Sequence, residues 1–242
     1  MHASTPPGTT PLIHLEGITF GYSGRRPILD DLDFQLLPGE RAGLLGPNGS
    51  GKTTLFHIIM GLMRPQSGTI ELFGKQVVKE KEFREFYSRI GLLFQDADDQ
   101  LFSPTVLEDV AFGPLNMGKS KQEAVDIARK TLADLGLDGF EDRITHKLSG
   151  GEKRLVSLAT VLAMKPEVLL LDEPSTGLDT RTKQTLVEVL GRLNLSYIII
   201  SHEGDFMEEV ADIIYTMEDG QLRRAEYIHS HVHAHPHAGH DH

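Results

Sequence analysis

The stretch GPNGSGKT, residues 46–53, decides the fold. It fits the pattern G-x-x-x-x-G-K-[ST] and lies between an apolar run at 42–45 and a helix-like pattern. Glycines at such a turn let backbone N–H groups surround phosphate oxygens, while Lys52 reaches the outer phosphates and the Thr53 hydroxyl ligates Mg²⁺. The purely structural alternative is a glycine-rich turn that binds no ligand. Because the stretch joins a strand to a helix, it predicts a nucleotide phosphate site.

Apolar patterning on both sides of this loop predicts a mixed α/β core. Segments in which apolar and polar residues alternate, at 15–20, 32–36 and 69–73, are typical of half-buried antiparallel strands. Asp219-Gly220 predicts a hairpin near the end. Continuous apolar runs predict strands that are buried on both faces of a parallel sheet. These runs are 42–45, 91–94, 168–171 and 197–200.

The middle of the chain, about 96–147, interrupts the strand-rich pattern. Its clearest helix is predicted at 121–135, where Ser120 and Glu123 have the spacing of a capping box and Gly136 marks the end. We therefore expect an inserted helical subdomain in this segment.

Two carboxylates, Asp172 and Glu173, end the apolar run at 168–171. Side chains at the carboxyl ends of strands in an open α/β sheet are well placed to meet a ligand. In a nucleotide site Asp172 would hold Mg²⁺ and Glu173 would polarise the attacking water. Asp-Glu-Pro is also ordinary turn chemistry, but the upstream phosphate loop favours the catalytic interpretation.

The segment LSGGE, residues 148–152, opens a second helical pattern. Ser149 and Glu152 again have the spacing of a capping box, which is the purely structural interpretation. Two consecutive glycines in a first turn, however, lower helix stability. They are expected where a phosphate must approach the backbone at a helix N-terminus.

Together these motifs resemble those of an ABC-type ATPase over roughly residues 13–224. The phosphate loop, LSGGE, VLLLDEP, the STGLD segment at 175–179 and His202 stand in that family's order. The resemblance implies an α/β fold, a P-loop NTPase (RecA-like) core with a small antiparallel β-subdomain and the inserted helical subdomain, over residues 12–226. It also implies ATP and Mg²⁺ as cofactors, and a head-to-tail dimer in which one protomer's phosphate loop and the other's LSGGE helix enclose ATP.

The resemblance assigns a role to each matching residue. Tyr22 would stack on adenine, Gln95 would sense Mg²⁺ and the lytic water, and Asp179 would cross the dimer interface. The catalytic residues would be Glu173, His202 and Gln95. The Mg²⁺ ligands would be Thr53, Gln95 and Asp172. The nucleotide-binding residues would be Tyr22, Gly46, Pro47, Asn48, Gly49, Ser50, Gly51, Lys52, Thr53, Thr54, Ser149, Gly150, Gly151 and Asp179.

The simpler interpretations of three of these residues stay open. Tyr22 could be a turn aromatic packed on the sheet, Gln95 a polar residue at a strand end, and His202 an ordinary loop histidine.

One segment, DDQLFSPTVLEDVAFGPLN at residues 98–116, indicates which branch of the family the chain resembles. It is similar to the ATPases of energy-coupling-factor importers, above all the cobalt/nickel type (CbiO-like), although Ala97 replaces a proline common there. In that family the region lines the groove that receives a helix of the membrane subunit, and Leu101 and Phe102 are the candidates for this contact. The simpler interpretation is an acidic surface loop.

The resemblance implies an ATPase that powers import of cobalt or nickel from the cytoplasmic face of the cell membrane, as a peripheral subunit. Its partners would be a second ATPase, as a homodimer or a pair of different subunits, a membrane-embedded coupling subunit and a substrate-specific membrane subunit. One alternative is the ATPase of a vitamin-type importer, and a remote one is a stand-alone P-loop kinase.

The composition of the chain excludes several other classes of protein and of functional site. The 242 residues include 24 Lys plus Arg and 35 Asp plus Glu, and the formal charge of −11 argues against a nucleic-acid partner. The absence of cysteine excludes disulfides, thiolate metal sites and thiol nucleophiles. No apolar run reaches the length of about 18 residues that a membrane helix needs.

Residues 1–11, rich in Pro, Ser and Thr, are expected to be a disordered leader.

The last segment, 227–242, is histidine-rich and is expected to be a flexible tail. Imidazole binds Ni²⁺, Cu²⁺ and Zn²⁺ well. Alternate residues of an extended chain lie about 6.6 Å apart, so the tail must bend for two rings to share one ion. A solvated low-complexity extension is the alternative. The candidate ligands of a transition metal are His229, His231, His233, His235, His237, His240 and His242.

Overall fold

The structure, a computed structural model, describes residues 9–22, 24 and 26–225. Strands and helices alternate along most of this length. In chain order the elements are β1 (Ile13–Phe20), β2 (Leu29–Leu36), β3 (Arg41–Leu45), α1 (Lys52–Ile59), β4 (Ser67–Leu72), β5 (Lys75–Gln76), α2 (Glu80–Phe83), β6 (Ile90–Leu93), α3 (Val106–Asn116), α4 (Lys121–Asp134), α5 (Gly150–Leu162), β7 (Val168–Asp172), α6 (Thr180–Arg192), β8 (Ser196–Ile200), α7 (Gly204–Val210), β9 (Ile213–Glu218) and β10 (Gln221–Arg224).

The central sheet has six strands in the order β10-β9-β3-β8-β7-β6. All neighbours pair in parallel except β10, which forms the predicted hairpin with β9. Alternate residues of β7 enter opposite cores: Leu169 and Leu171 meet helices α3 to α7, whereas Val168 and Leu170 meet α1 and the second sheet. Because both faces are covered, the central strands have the continuous apolar sequences from which they were predicted.

The second sheet is antiparallel, in the order β2-β1-β4-β5. Its pairing shifts register twice along β1, between Leu15 and Ile18 and between Ile18 and Phe20. Gly17 lies at the first shift with a φ of 62°, a conformation that favours glycine. This sheet packs on the face of the central sheet that also holds α1, so it forms the predicted antiparallel β-subdomain.

Helices α3 and α4 lie between β6 and β7 and pack together and against α5. The predicted capping box of α4 is present, because the Ser120 Oγ accepts from the Glu123 N–H and the Glu123 carboxylate accepts from the Ser120 N–H. The α4 face formed by Ala124, Ala128 and Leu132 is fully buried. The expected α/β class, with an antiparallel sheet and inserted helices, is therefore confirmed.

Two predicted segments lie largely or wholly outside the described residues. They are most of the leader at 1–11 and the tail at 227–242, together with its histidines. The boundaries drawn at 12–226 and 96–147 stay predictions. Within the described part of the chain, no helix is both long and apolar enough to cross a bilayer.

Candidate functional site

The candidate residues converge on one edge of the central sheet. Strands β3, β8, β7 and β6 are neighbours and run parallel, so their carboxyl ends meet at the same edge. The phosphate loop follows β3, and His202 follows β8. A cleft of about 710 Å³ lies at this edge, lined by Thr53, Gln95 and Asp172 among others.

The loop at 46–53 has the backbone of a phosphate cradle. Gly46, Gly49 and Gly51 have φ values of 153°, 81° and 110°, a region that side chains with a Cβ rarely adopt. A Cβ on Gly46 would lie only 2.7 Å from the Met217 carbonyl oxygen. The tip of the loop is exposed, and α1 begins directly after it. Its free amides and the helix N-terminus therefore offer an anion site.

Lys52 and Ser50 contribute polar side-chain atoms to this loop. The Lys52 Nζ donates to the carbonyl oxygens of Gly46 at 2.8 Å and Pro47 at 3.0 Å. Burial lowers the pKa of Lys52, and the charges of Glu173 and Asp172 oppose that shift. The Ser50 Oγ is buried and has no hydrogen-bond partner among the described residues. An unpartnered hydroxyl beside a buried ammonium fits a phosphate oxygen.

Thr53 and Asp172 meet as predicted. The Thr53 Oγ1 donates to the Asp172 Oδ2 at 2.8 Å, while the Asp172 Oδ1 is buried without a partner in the described part of the chain. Burial raises the pKa of Asp172. A hydroxyl and a carboxylate with a spare oxygen fit a hard cation such as Mg²⁺. The described residues contain no group of three or more carboxylates and imidazoles able to hold a metal, so phosphate oxygens and water would complete the coordination of a bound Mg²⁺.

Glu173 and His202 also come together. The Glu173 Oε2 lies 3.0 Å from the His202 Nδ1 and accepts from the Thr176 Oγ1 at 3.0 Å. Glu173 has a φ of 48°, so the backbone turns sharply where β7 ends. Strain of this kind costs of order 1–3 kcal/mol and gathers at functional sites. The result is a nearly buried carboxylate held by two side chains, with an exposed imidazole beside it.

Gln95 lines the cleft and follows β6 as predicted. Its backbone carbonyl accepts from Arg154, a buried residue that the sequence interpretation missed. His57 was missed as a cleft residue too. One signal pointed to it, because His57 stands four residues after Thr53 on α1 and so shares its face.

Tyr22 lies at the end of β1 and is not among the residues that line the cleft. Its side chain is 53% exposed, and its ring meets Phe20 edge-on at 5.6 Å between centroids. Its contact with a nucleotide base stays a prediction.

The LSGGE and STGLD segments present exposed residues at two helix N-termini. Ser149 caps α5 and Asp179 caps α6, where its carboxylate accepts from the Thr182 N–H at 3.0 Å and from its Oγ1 at 2.8 Å. A Cβ on Gly151 would lie 3.1 Å from two Thr182 atoms, so this glycine permits close contact between the helices. Gly150 borders the cleft but faces open space: a Cβ there would have no atom of another described residue within 4 Å.

Comparison with known proteins identifies the family. The family model described as "ABC transporter" matches residues 29–176. This chain belongs to the ABC transporter family. It is therefore the ATP-binding subunit of such a transporter and an ATPase, as the resemblance implied.

Curated ABC transporter relatives match most of the chain. A "Putative ABC transporter ATP-binding protein" of Nitratidesulfovibrio vulgaris is 49% identical over 236 residues, which are 96% of this chain and 86% of that protein. The "Cobalt import ATP-binding protein CbiO" of Rhodobacter capsulatus is 42% identical over 88% of this chain and 78% of that protein.

Two solved ABC structures share the fold. CbiO1 of Clostridium perfringens, part of the transporter complex CbiONQ, is 34% identical with a TM-score of 0.79 and covers 88% of this chain and 87% of that one. The ATP-binding cassette MJ0796, a dimer bound to ADP and phosphate, is 25% identical with a TM-score of 0.80 and covers 88% and 97%.

Proposed function

We propose that this ABC ATPase powers an energy-coupling-factor importer that carries cobalt or nickel ions. The observation that carries the proposal is the segment 98–116, which is similar to this branch in sequence and bears an exposed apolar patch. The Phe102 side chain is 66% exposed and that of Phe112 46%, and their rings meet edge-on at 4.8 Å between centroids. The similarity to a cobalt-import ATPase supports the choice of cargo.

Leu115, which stands three residues after Phe112 on α3 and so shares its face, is exposed as well. Large apolar side chains gathered on a surface are typical of a protein interface. Leu101 does not fit the prediction of a partner contact, because it is only 8% exposed and lies in the core formed by the helices. Phe102 and Phe112 are therefore the residues that we assign to the contact with the membrane subunit.

We assign hydrolysis to the cleft at the strand ends. The loop amides, Lys52 and Ser50 bind the phosphates, and Thr53 and Asp172 hold Mg²⁺, which neutralises phosphate charge when bound. Glu173 accepts the proton of the attacking water while its contacts with His202 and Thr176 fix the carboxylate. Phosphoryl transfer depends mainly on position and charge, and this set of groups supplies both.

The exposed LSGGE and STGLD segments support a two-protomer site. Ser149 and Asp179 do not line the cleft of their own chain, yet both stand at helix N-termini where an anion is stabilised. We infer that Ser149 meets nucleotide bound to a second protomer and that Asp179, whose carboxylate already caps α6, contacts that protomer across the dimer interface. The dimeric relative bound to ADP and phosphate supports this arrangement.

Uptake of radiolabelled Ni²⁺ and Co²⁺ by cells that carry one variant at a time tests the proposal. We expect Glu173→Gln to lower hydrolysis by about 10²- to 10⁴-fold, the usual scale for loss of a general base, and to abolish uptake of the cargo ion. Phe102→Ala should abolish uptake while the purified protein keeps its ATPase rate. Tyr87→Ala is the matched control, because it removes an exposed aromatic ring outside the patch.

Two outcomes would contradict the proposal. Unchanged uptake of both ions by the Glu173→Gln cells would favour the vitamin-type importer. An equal effect of Phe102→Ala and Tyr87→Ala would remove the patch from the coupling role.

A further inference from the structure

Helix α5 and the segment that carries Gln95 are tied together at several points. The Gln100 Nε2 donates to the Ser157 carbonyl at 2.9 Å and to the Thr160 Oγ1 at 2.8 Å. Nearer the start of the helix, the Lys153 ammonium lies 2.5 Å from an Asp98 carboxylate oxygen. These contacts join residues about 60 positions apart in sequence. They predict that segment 94–100 moves with α5.

The strand before this segment is seated on the same helix. A Cβ on Gly91 of β6 would lie 2.2 Å from a Val161 methyl carbon of α5. Any side chain at Gly91 would force the Val161 side chain or the helix itself to shift. The last turn of α5 therefore packs closely on β6.

Arg154 contacts the backbone of Gln95, and both residues line the cleft. Its guanidinium donates to the Phe94 carbonyl at 2.5 Å and to the Gln95 carbonyl, and the residue is only 6% exposed. A guanidinium has a rigid planar fork of donors, so two carbonyls held by it are fixed in direction as well as in distance. Lysine, with one ammonium on a flexible stem, cannot reproduce that geometry.

We propose that Arg154 is a positioning residue for hydrolysis: by holding the two backbone carbonyls that flank Gln95, those of Phe94 and of Gln95 itself, it sets Gln95 in the cleft and makes Gln95 move together with the LSGGE helix. The inference rests on the proposed function, which places Gln95 beside Mg²⁺ and the lytic water. In the two-protomer arrangement, closure of LSGGE on the partner's nucleotide would then shift Gln95 in the protomer's own cleft. Nucleotide binding at one site would thus change the position of Gln95 at the other site.

A double-mutant cycle tests whether Arg154 acts through Gln95. We expect Arg154→Met to lower kcat by about 10- to 100-fold, the scale on which misplacement of a catalytic group slows a reaction. The KM for ATP should change little, because phosphate-loop contacts remain. The variant with both Arg154→Met and Gln95→Ala should be no slower than Gln95→Ala alone. Fully additive losses would overturn the proposal, because a merely structural role predicts them.

Lys153→Met is the matched control, since it removes a cation that contacts the same segment but not the Gln95 carbonyl. Because Lys153 lines the cleft and its contact with Asp98 is one of the ties described above, this variant should lower kcat, but by less than Arg154→Met does. If Arg154→Met does not fold, as judged by circular dichroism, Arg154→Lys takes its place in the cycle with a smaller expected loss.

Hydrogen exchange separates this inference from the proposed function. Amides in a peptide covering 94–96 should exchange faster in Arg154→Met than in Lys153→Met, with no need for ATP hydrolysis. An unaltered chain that hydrolyses no ATP would contradict the proposed function alone. Equal exchange in the two variants would contradict the positioning role of Arg154 whatever the hydrolysis rate.

Discussion

Asp172 is buried, and its Oδ1 has no hydrogen-bond partner among the described residues. The free energy that burial of this carboxylate costs should be visible in the stability of the fold. Burial raises the pKa of Asp172 above its ordinary value of 3.8. The folded chain therefore holds this proton more tightly than the unfolded chain does, and stability falls as pH rises through the interval between the two pKa values. In the proposed site, a bound cation would offset the free energy that burial of the charged carboxylate costs.

We predict that Asp172→Asn raises the melting temperature in the absence of Mg²⁺. The neutral side chain does not carry the buried charge, so the gain over the unaltered chain should grow from about pH 4 to about pH 7. The same change should reduce the additional stabilisation by Mg²⁺ and ATP. Thermal unfolding across this pH range, with and without Mg²⁺ and ATP, measures both effects. A variant that is less stable than the unaltered chain at every pH would argue against the interpretation.

The sequence predicted most residues of the candidate site because motif spacing and strand ends determine them together. Thr53 with Asp172, and Glu173 with His202, lie within hydrogen-bond distance as that placement required. Arg154 was not predicted, because its acceptors stand 60 and 59 residues away in sequence. A charged residue in an amphipathic pattern indicates a solvated face unless the fold brings partners to it.

Helices α4 and α5 begin with the same capping box, which allows a matched comparison. In each, the glutamate carboxylate accepts from the serine N–H at 2.8 Å and the serine Oγ accepts from the glutamate N–H at 3.3 Å. We predict that Ser120→Ala and Ser149→Ala each lower the free energy of unfolding by about 1 kcal/mol, the typical cost of a lost N-cap. Urea titration of both variants measures this loss.

Only Ser149→Ala should also reduce ATP hydrolysis. In the proposed site Ser149 contacts the nucleotide of the partner, whereas Ser120 serves its helix alone. ATPase assays on the two variants below their unfolding transitions separate the roles. Equal ATPase rates would mean that the Ser149 hydroxyl acts only as a cap.

At the scale of elements, the sequence placed the central strands within one or two residues of their observed bounds. The runs predicted at 168–171 and 197–200 became Val168–Asp172 and Ser196–Ile200. The bounds differ because backbone hydrogen bonding, and not side-chain polarity, defines a strand, so β7 includes Asp172 and β8 begins at Ser196. Helix α3 was not located individually, because Pro114 lies inside it and Phe112 and Leu115 are exposed. These features weaken the apolar periodicity that indicates a helix.

For the whole molecule, the two-protomer site predicts complementation. Lys52→Ala disables the phosphate loop and leaves the LSGGE segment intact. Ser149→Arg disables the LSGGE segment and leaves the phosphate loop intact. Each purified variant should hydrolyse little ATP, whereas a mixture of the two should recover activity. One composite site in the mixed dimer combines the intact phosphate loop with the intact LSGGE segment. An equal amount of either variant alone is the control, and a mixture that stays inactive would contradict the dimer.

The position of β3 in the central sheet also constrains the order in which the chain can fold. The strand that leads into the phosphate loop pairs with β8 and β9, whose residues come more than 150 positions later. Strands β1, β2 and β4, by contrast, find one another within the first third of the chain. Pairings between distant parts of a chain are slow to form, and during synthesis they must wait for the later partner to emerge. The ribosome would therefore have to make nearly the whole domain before the phosphate loop acquires a stable conformation. Until then β3 is an exposed apolar segment that chaperones would have to shield.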